Sequence, residues 1–322
     1  MPHHPFTPST NPTRPSLSLI VPTRRRPDQL QSMLASLRAN AARPHTFEVV
    51  LVIDSDDPGS VQVHQYGLRI RRVVVPPGQP MGALNMTGYL HSAGDFIMLL
   101  NDDVRARTKG WDDRILAACQ HFLDRIALVH VNDTIFQDAL CTFPVVSRAF
   151  CELAGGVCPP QYLRYRIDDH IDDVFNLLVL LGTQRTIYMP DVIFEHLNKR
   201  ERSIGHNGYQ PQDSGLAADA PRFEALFEAR KELALRLLRH IDGPSTDARE
   251  AERREQLARI SDPYSLRYPG RQLIQRGMRP PRRGSRLMPP GPARLWAGRS
   301  YRQIAKIGRG AQRLLTSAWS SF

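Results

Sequence analysis

The residues best suited to chemistry in this 322-residue sequence are Asn101, Asp102 and Asp103, which close the apolar run DFIMLLNDDV. Adjacent carboxylates are hard oxygen donors that suit a divalent cation, Mn2+ or Mg2+, or the hydroxyl and N–H groups of a nucleotide. A second acidic group, Asp54, Asp56 and Asp57, follows the apolar run FEVVLVI. A third lies in IDDHIDDVFNLLVLL, where Asp169, Asp172 and Asp173 open an apolar stretch. A carboxylate there could act as a general base, its pKa raised by like charges crowded around it. Each group also has a plainer reading. Asp57, Pro58 and Gly59 make an ordinary turn, Asp172 and Asp173 suit the first turn of any helix, and a lone His196 is commonly a surface or core histidine.

These side chains need a frame, and the patterning supplies one. Leu17 to Val21 is a compact apolar strand closed by Pro22, Thr23 and a basic turn, Arg24 to Arg26. Pro27 then suits a first helical position, and Leu30, Met33, Leu34 and Leu37 recur at helical spacing. Phe47 to Ile53 and Val73 to Val75 read as further strands, and a helix from Met81 to Ser92 leads into the strand Phe96 to Leu100. A short continuously apolar strand is buried in a parallel sheet, so its terminal acids lie at the carboxyl end, where open α/β sheets bind ligands. A helix from Trp111 to Leu123, a strand from Ile126 to Val131, and a loop with a short helix across Thr142 to Gly156 follow. The acidic helix over Asp168 to Leu181 is stopped by Gly182. A short strand, Arg185 to Tyr188, a turn at Pro190 and an amphipathic helix, Pro221 to Ile241, complete the pattern. Alternating strands and helices predict an α/β fold with a mostly parallel sheet flanked by helices.

The formal net charge is +11, but 13 of the 43 Lys and Arg and none of the 32 Asp and Glu fall in residues 263–322, so the remainder is nearly neutral. That location argues against nucleic acid as a partner, because no recognisable binding motif accompanies the charge. The tail's Leu295, Trp296, Tyr301, Ile304, Ile307, Leu314, Leu315 and Trp319 among basic residues suit an anionic membrane surface, with a disordered basic extension as the alternative. Cys119, Cys141, Cys151 and Cys158 have no CxxC spacing, so they read as reduced, mostly buried thiols of a cytoplasmic protein. The expected organisation is a Pro-rich disordered lead-in over 1–15, one α/β domain over 16–245, and a linker and basic tail over 246–322. No run approaches the roughly 18 apolar residues of a membrane span.

In order, LSLIVPT, VVLVIDSDD and MGALNMTGYLHSAGDFIMLLNDDV, then a tryptophan, an acidic helix start and a late histidine, resemble the GT-A glycosyltransferases of the inverting family-2 type. The resemblance runs from about Leu17 to His196. It implies a nucleotide-sugar donor, a glycan or lipid-linked acceptor, and transfer with inversion. It places Pro22, Thr23, Arg24, Asp54, Asp56, Asn85 and Asp102 at the nucleotide. Asp103 and His196 become ligands of Mn2+ or Mg2+, and Asp173, Asp172 or Asp169 the base. Asn101 stands where the family's DxD element has its first acid. The Asp172–Asp173 pair stands one residue closer to the following glycine than that family's Glu-Asp, which keeps Asp169 in the set.

Two other functions are compatible with the residues. A sugar-phosphate nucleotidyltransferase would want a glycine-rich phosphate loop after the first strand, and PTRRRPD has arginines but no glycine. A non-catalytic nucleotide-binding or scaffold protein with a degenerate metal site would account for Asn101.

Overall fold

The computed structural model describes residues 14–197, 214–243 and 246–262. The tail at 263–322 lies outside them, as does the lead-in apart from Arg14 and Pro15. Arg14 is tied down: its guanidinium donates to Ala93 O at 2.9 Å and pairs with Asp95 at 3.1 Å.

The strands are β1 Leu17–Thr23, β2 Phe47–Asp54, β3 Arg69–Val75, β4 Phe96–Leu99, β5 Val104–Ala106, β6 Leu128–Asn132, β7 Pro144–Ser147 and β8 Thr186–His196. The helices that matter for function are α1 Pro27–Asn40, α2 Pro58–Val61, α3 Met81–Leu90, α4 Trp111–Cys119, α5 Arg148–Ala154 and α6 Ile167–Leu180. After the segment not described come α7 Ser214–Ala225, α8 Phe227–Asp242 and α9 Asp247–Ala258. The sheet order is β3-β2-β1-β4-β7-β6-β8-β5.

The predicted α/β class holds. The β1–β2, β2–β3, β1–β4 and β6–β8 pairs are parallel, whereas β4–β7, β6–β7 and β5–β8 are antiparallel. β7 corrects the expected loop over Thr142 to Gly156. It is four residues long and begins with Pro144, too short for either periodicity to register. The strand expected at Arg185 to Tyr188 is longer: it runs on through Pro190 to His196, with a register irregularity at Val131/Asn132 on its neighbour β6. A bulge tolerates the missing proline N–H, so Pro190 does not end the strand.

Helices cover both faces. α1 and α4 pack on one side with Trp111, which is fully buried against Phe47 and Phe194 at ring distances of 4.8 and 5.3 Å. Its indole N–H donates to Leu37 O at 3.1 Å, so the large ring is buried without an orphaned donor. α5, α6 and α8 pack on the other side. Leu257 of α9 joins that second cluster. All four cysteines are free and buried, and no helix among the described residues is long and apolar enough to cross a membrane.

Candidate active site

Strand register brings the acids together. β1 pairs with β4 from Leu17↔Phe96 to Ile20↔Leu99, so its last residues run past the end of β4 alongside the acids that follow. Thr23 Oγ1 there donates to Asp102 Oδ2 at 2.8 Å. β5 begins immediately after Asp103, and its pairing Val104↔His196 sets the end of β8 beside that carboxylate. His196 Nε2 lies 3.2 Å from Asp103 Oδ1 and 3.4 Å from Asn101 Nδ2.

The basic turn closes the site from the β1 side. Arg26 reaches Asp102 at 3.2 Å and Asp103 at 3.5 Å. Arg24 pairs with buried Asp54 at 3.1 Å and with exposed Asp56 at 2.7 Å. Arg25 adopts the left-handed region at φ 56, unusual for a residue with a Cβ, and its amide donates to Asp57 Oδ2 at 2.6 Å. Asp57 also caps α2 through Ser60 N, so the acid after β2 fixes the turn after β1.

Electrostatics separate the two central acids. Burial pushes Asp102 up to about 6 against the pull of Arg26. Burial would raise Asp103 as well, but the hydrogen bond and charge of His196, then Arg26, outweigh it and hold that carboxyl below its ordinary range. Asp103 is therefore a carboxylate at neutral pH. Its Oδ1 is buried and faces His196 Nε2 at 3.2 Å, and an oxygen with one such neighbour keeps lone-pair capacity to spare. One carboxylate and one imidazole fit a Mn2+-like ion. No three His, Cys, Asp or Glu side chains gather around such an ion among the described residues, so phosphate oxygens or water would have to complete its shell.

A match to known sequences bears on the part of the chain that builds this corner. Residues 18–131 match the model of the family Glycosyl transferase family 2. The O-antigen biosynthesis protein RfbC of Myxococcus xanthus is 30% identical over 109 residues, which is 33% of this chain and 8% of that protein. This chain thus corresponds to a small fraction of that relative's length. Among solved structures, the mannosyltransferase PcManGT from Pyrobaculum calidifontis, in complex with GDP-Man and Mn2+, is 17% identical, with 84% of this chain and 88% of that one covered and a TM-score of 0.46. Residues 1–349 of S. aureus TarS are 14% identical, with 78% and 72% covered and a TM-score of 0.49. The family 2 segment and the α/β sheet together make this a GT-A fold.

Within the family 2 segment the structure joins Thr23, Arg24, Asp54, Asp56, Asp102 and Asp103 through the contacts above, with Pro22 one residue before Thr23. Asn85 stands apart. It is buried in α3 between Gly88, where a Cβ would come within 2.4 Å of Ile20 in the sheet, and Gly82, where one would come within 2.3 Å of Pro159 O. Among the described residues no hydrogen bond links Asn85 to the strand-end cluster, and its side chain is 5% exposed.

The three candidate bases on α6 lie in different environments. Asp173 is fully buried and pairs with Arg230 Nε at 3.3 Å. Its carboxylate is thus turned to α8, less accessible than that of Asp172. Asp169 is 5% exposed and pairs with Arg166 at 3.0 Å. Asp172 is half-buried and accepts from Asn176 Nδ2 at 3.0 Å. Cys141 lies close by: burial first, then the charges of Asp172, Asp168 and Asp169, push its thiol well up.

Asp133, outside the candidates taken from the sequence, holds the chain beside His196. It is 1% exposed; its Oδ1 accepts from the amides of Ile135, Phe136 and Gln137, and its Oδ2 from Thr142 Oγ1 at 2.8 Å. Its carbonyl accepts from His196 N at 3.1 Å, and Cys141 next to Thr142 bonds Asp168 O at 3.4 Å. A continuous path therefore runs from the start of α6 through Cys141, Thr142 and Asp133 to His196 and Asp103. The sequence signal was the Asp-Thr pair, an Asx-turn former, directly after a strand.

Two imidazoles give this region a defined pH response. Burial, then Arg230, lowers His170 to about 3, and its Nδ1 lies 3.0 Å from Tyr162 Oη. Burial lowers His130 to about 4, with Asp133 opposing, where it packs 4.9 Å from the Tyr188 ring. Both are neutral in the fold but take up protons in the unfolded chain near 6.5, so their stabilisation is present above that pH and is lost as pH falls toward 3 or 4. At about pH 5 each costs about 2 kcal/mol, about 4 kcal/mol together. Urea denaturation at neutral pH and at about pH 5 should show that loss, and His130→Leu should remove about half of it. An equal midpoint at both pH values would contradict this.

Proposed function

We propose that this protein is an inverting glycosyltransferase that moves a sugar from a nucleotide-sugar donor to the hydroxyl of a glycan or lipid-linked acceptor. The observation that carries the reading is the convergence of Thr23, Arg26, Asp102, Asp103 and His196 at the carboxyl ends of β1, β4 and β8. Asp54, with Arg24 across it, is assigned to the nucleoside, and Thr23 and Asp102 to the adjoining ribose or phosphate. Arg24, Arg25 and Arg26 face the negative charge of the diphosphate.

Mn2+ or Mg2+ held by Asp103 and His196 would supply Lewis-acid stabilisation of the departing diphosphate. The chain's own residues do the rest. Asp172, the accessible acid of the three, takes the proton of the acceptor hydroxyl as its oxygen attacks the anomeric carbon. The bond from that carbon to the diphosphate oxygen breaks on the opposite face, inverting the centre, and the nucleoside diphosphate leaves with both electrons. Positive charge from the arginine turn is already in place where this charge develops, so little reorganisation is needed during the reaction.

The test is a panel of UDP-, GDP- and dTDP-linked sugars with Mn2+ or Mg2+, with nucleoside diphosphate release measured with and without oligosaccharide or lipid-linked acceptors. Metal-dependent release from at least one donor, increased by an acceptor, is the expected result. Binding without release would favour the second reading, a nucleotide-binding protein with no turnover, which Asn101 supports. Neither binding nor release would overturn both.

A further inference from the structure

The two buried acids of α6 are both held by arginines that share one aromatic ring. Asp173 is fully buried with Arg230 of α8, whose Nε lies 3.3 Å away and whose other nitrogen donates to Phe223 O at 2.7 Å. The Arg230 guanidinium carbon is 3.9 Å from the Phe223 ring centroid. Arg166, the residue preceding α6, pairs with Asp169 at 3.0 Å, and its guanidinium carbon lies 5.4 Å from the same ring. Asp169 and Asp173 are four residues apart and so lie on one face of the helix. α7 makes a second attachment: fully buried Asp219 accepts from the amides of Leu163, Arg164 and Tyr165, the chain leading into α6, each at 2.9 Å.

A buried ion pair of this kind adds little stability over well-packed apolar residues of the same volume, because desolvation consumes the Coulombic gain. What it fixes is geometry. With Asp169 and Asp173 keyed to Arg166 and Arg230, α6 has one rotational setting, which leaves Asp172 on the accessible side near Cys141.

We propose that Arg230 and Phe223 are positioning residues that set the rotation of α6 and thereby aim Asp172 at the acceptor hydroxyl. Both lie well beyond residue 131, outside the family 2 segment that builds the donor corner. The C-terminal helices are then part of the acceptor half of the site. This inference rests on Asp172 as the base.

The test replaces the pair by apolar residues, Asp173→Leu with Arg230→Met, in the full chain. Folding should be retained. With the UDP-, GDP- and dTDP-sugar panel, kcat for acceptor-dependent release should fall about tenfold to a hundredfold, as small misplacements of a reacting group do, at unchanged donor KM. Adding Asp172→Asn in that background should cost much less than it does in the wild type, since the base is already out of place. A merely structural pair would leave the two effects additive. Wild-type kcat in the apolar variant, or additive effects, overturns the inference while Asp172→Asn remains inactive on its own. Should Asp172→Asn alone keep full turnover, the base assignment itself is overturned. If the apolar pair does not fold, Phe223→Leu decides: it removes the shared ring, keeps both ion pairs, and must lower kcat without changing donor KM.

Discussion

Asp103→Ala is expected to lower nucleoside diphosphate release about a thousandfold, equivalent to roughly 4 kcal/mol of transition-state stabilisation. It should also remove the Mn2+-dependent part of UDP or GDP binding, a readout independent of turnover. The size follows from the chemistry of the position. Asp103 is the central acid held ionised by His196 and Arg26, and its buried Oδ1 faces His196 Nε2 at 3.2 Å. Removing it leaves an imidazole as the one remaining side-chain donor of the proposed pair. The fold should survive, since Arg26 keeps Asp102 at 3.2 Å and the β5–β8 pairing is made by the backbone. Calorimetry showing the same Mn2+ enhancement of nucleotide binding in wild type and variant would remove Asp103 from the site.

The second large effect is at α6. Asp172→Asn should reduce acceptor-dependent kcat by about a hundredfold to ten-thousandfold, the range for loss of a general base, with donor KM little changed. Asparagine keeps an oxygen for the bond from Asn176 Nδ2, so the helix should not be disturbed. Asp173→Asn makes the informative contrast. It leaves the Arg230 charge buried without its carboxylate, so its main signature should be a stability loss of about 3–5 kcal/mol. Equal loss of kcat from both substitutions with no loss of stability in either would exchange their roles.

Much of the strand-end chemistry was legible before any coordinates. Acids that terminate continuously apolar runs are marked by composition alone, because a buried parallel strand has no other place for charge than its ends. The order of those runs carried the α/β class. The helix bearing Asp169, Asp172 and Asp173 was also visible, from its acidic first turn and apolar continuation.

Less was legible where pairing partners are distant in sequence. β7 is too short to carry a period, and its antiparallel insertion between β4 and β6 depends on what those strands leave open. Asp133 accepts three amides and a hydroxyl and anchors His196, contacts that involve residues up to 63 positions away. Asn85, placed at the nucleotide by the resemblance, is 5% exposed in α3.

By itself, then, the sequence determined which residue types stand at the strand ends and that they alternate with helices, since hydrophobic periodicity and charge are local properties. The tertiary structure decided which of them meet and which acid stays partly accessible. Asp102 and Asp103 share Arg26 and differ in their other neighbour, Thr23 for one and His196 for the other. Asp172 and Asp173, adjacent in the chain, are separated by the helical turn between successive residues. One looks out toward Cys141, and the other is sealed against Arg230 by a helix more than fifty residues further on.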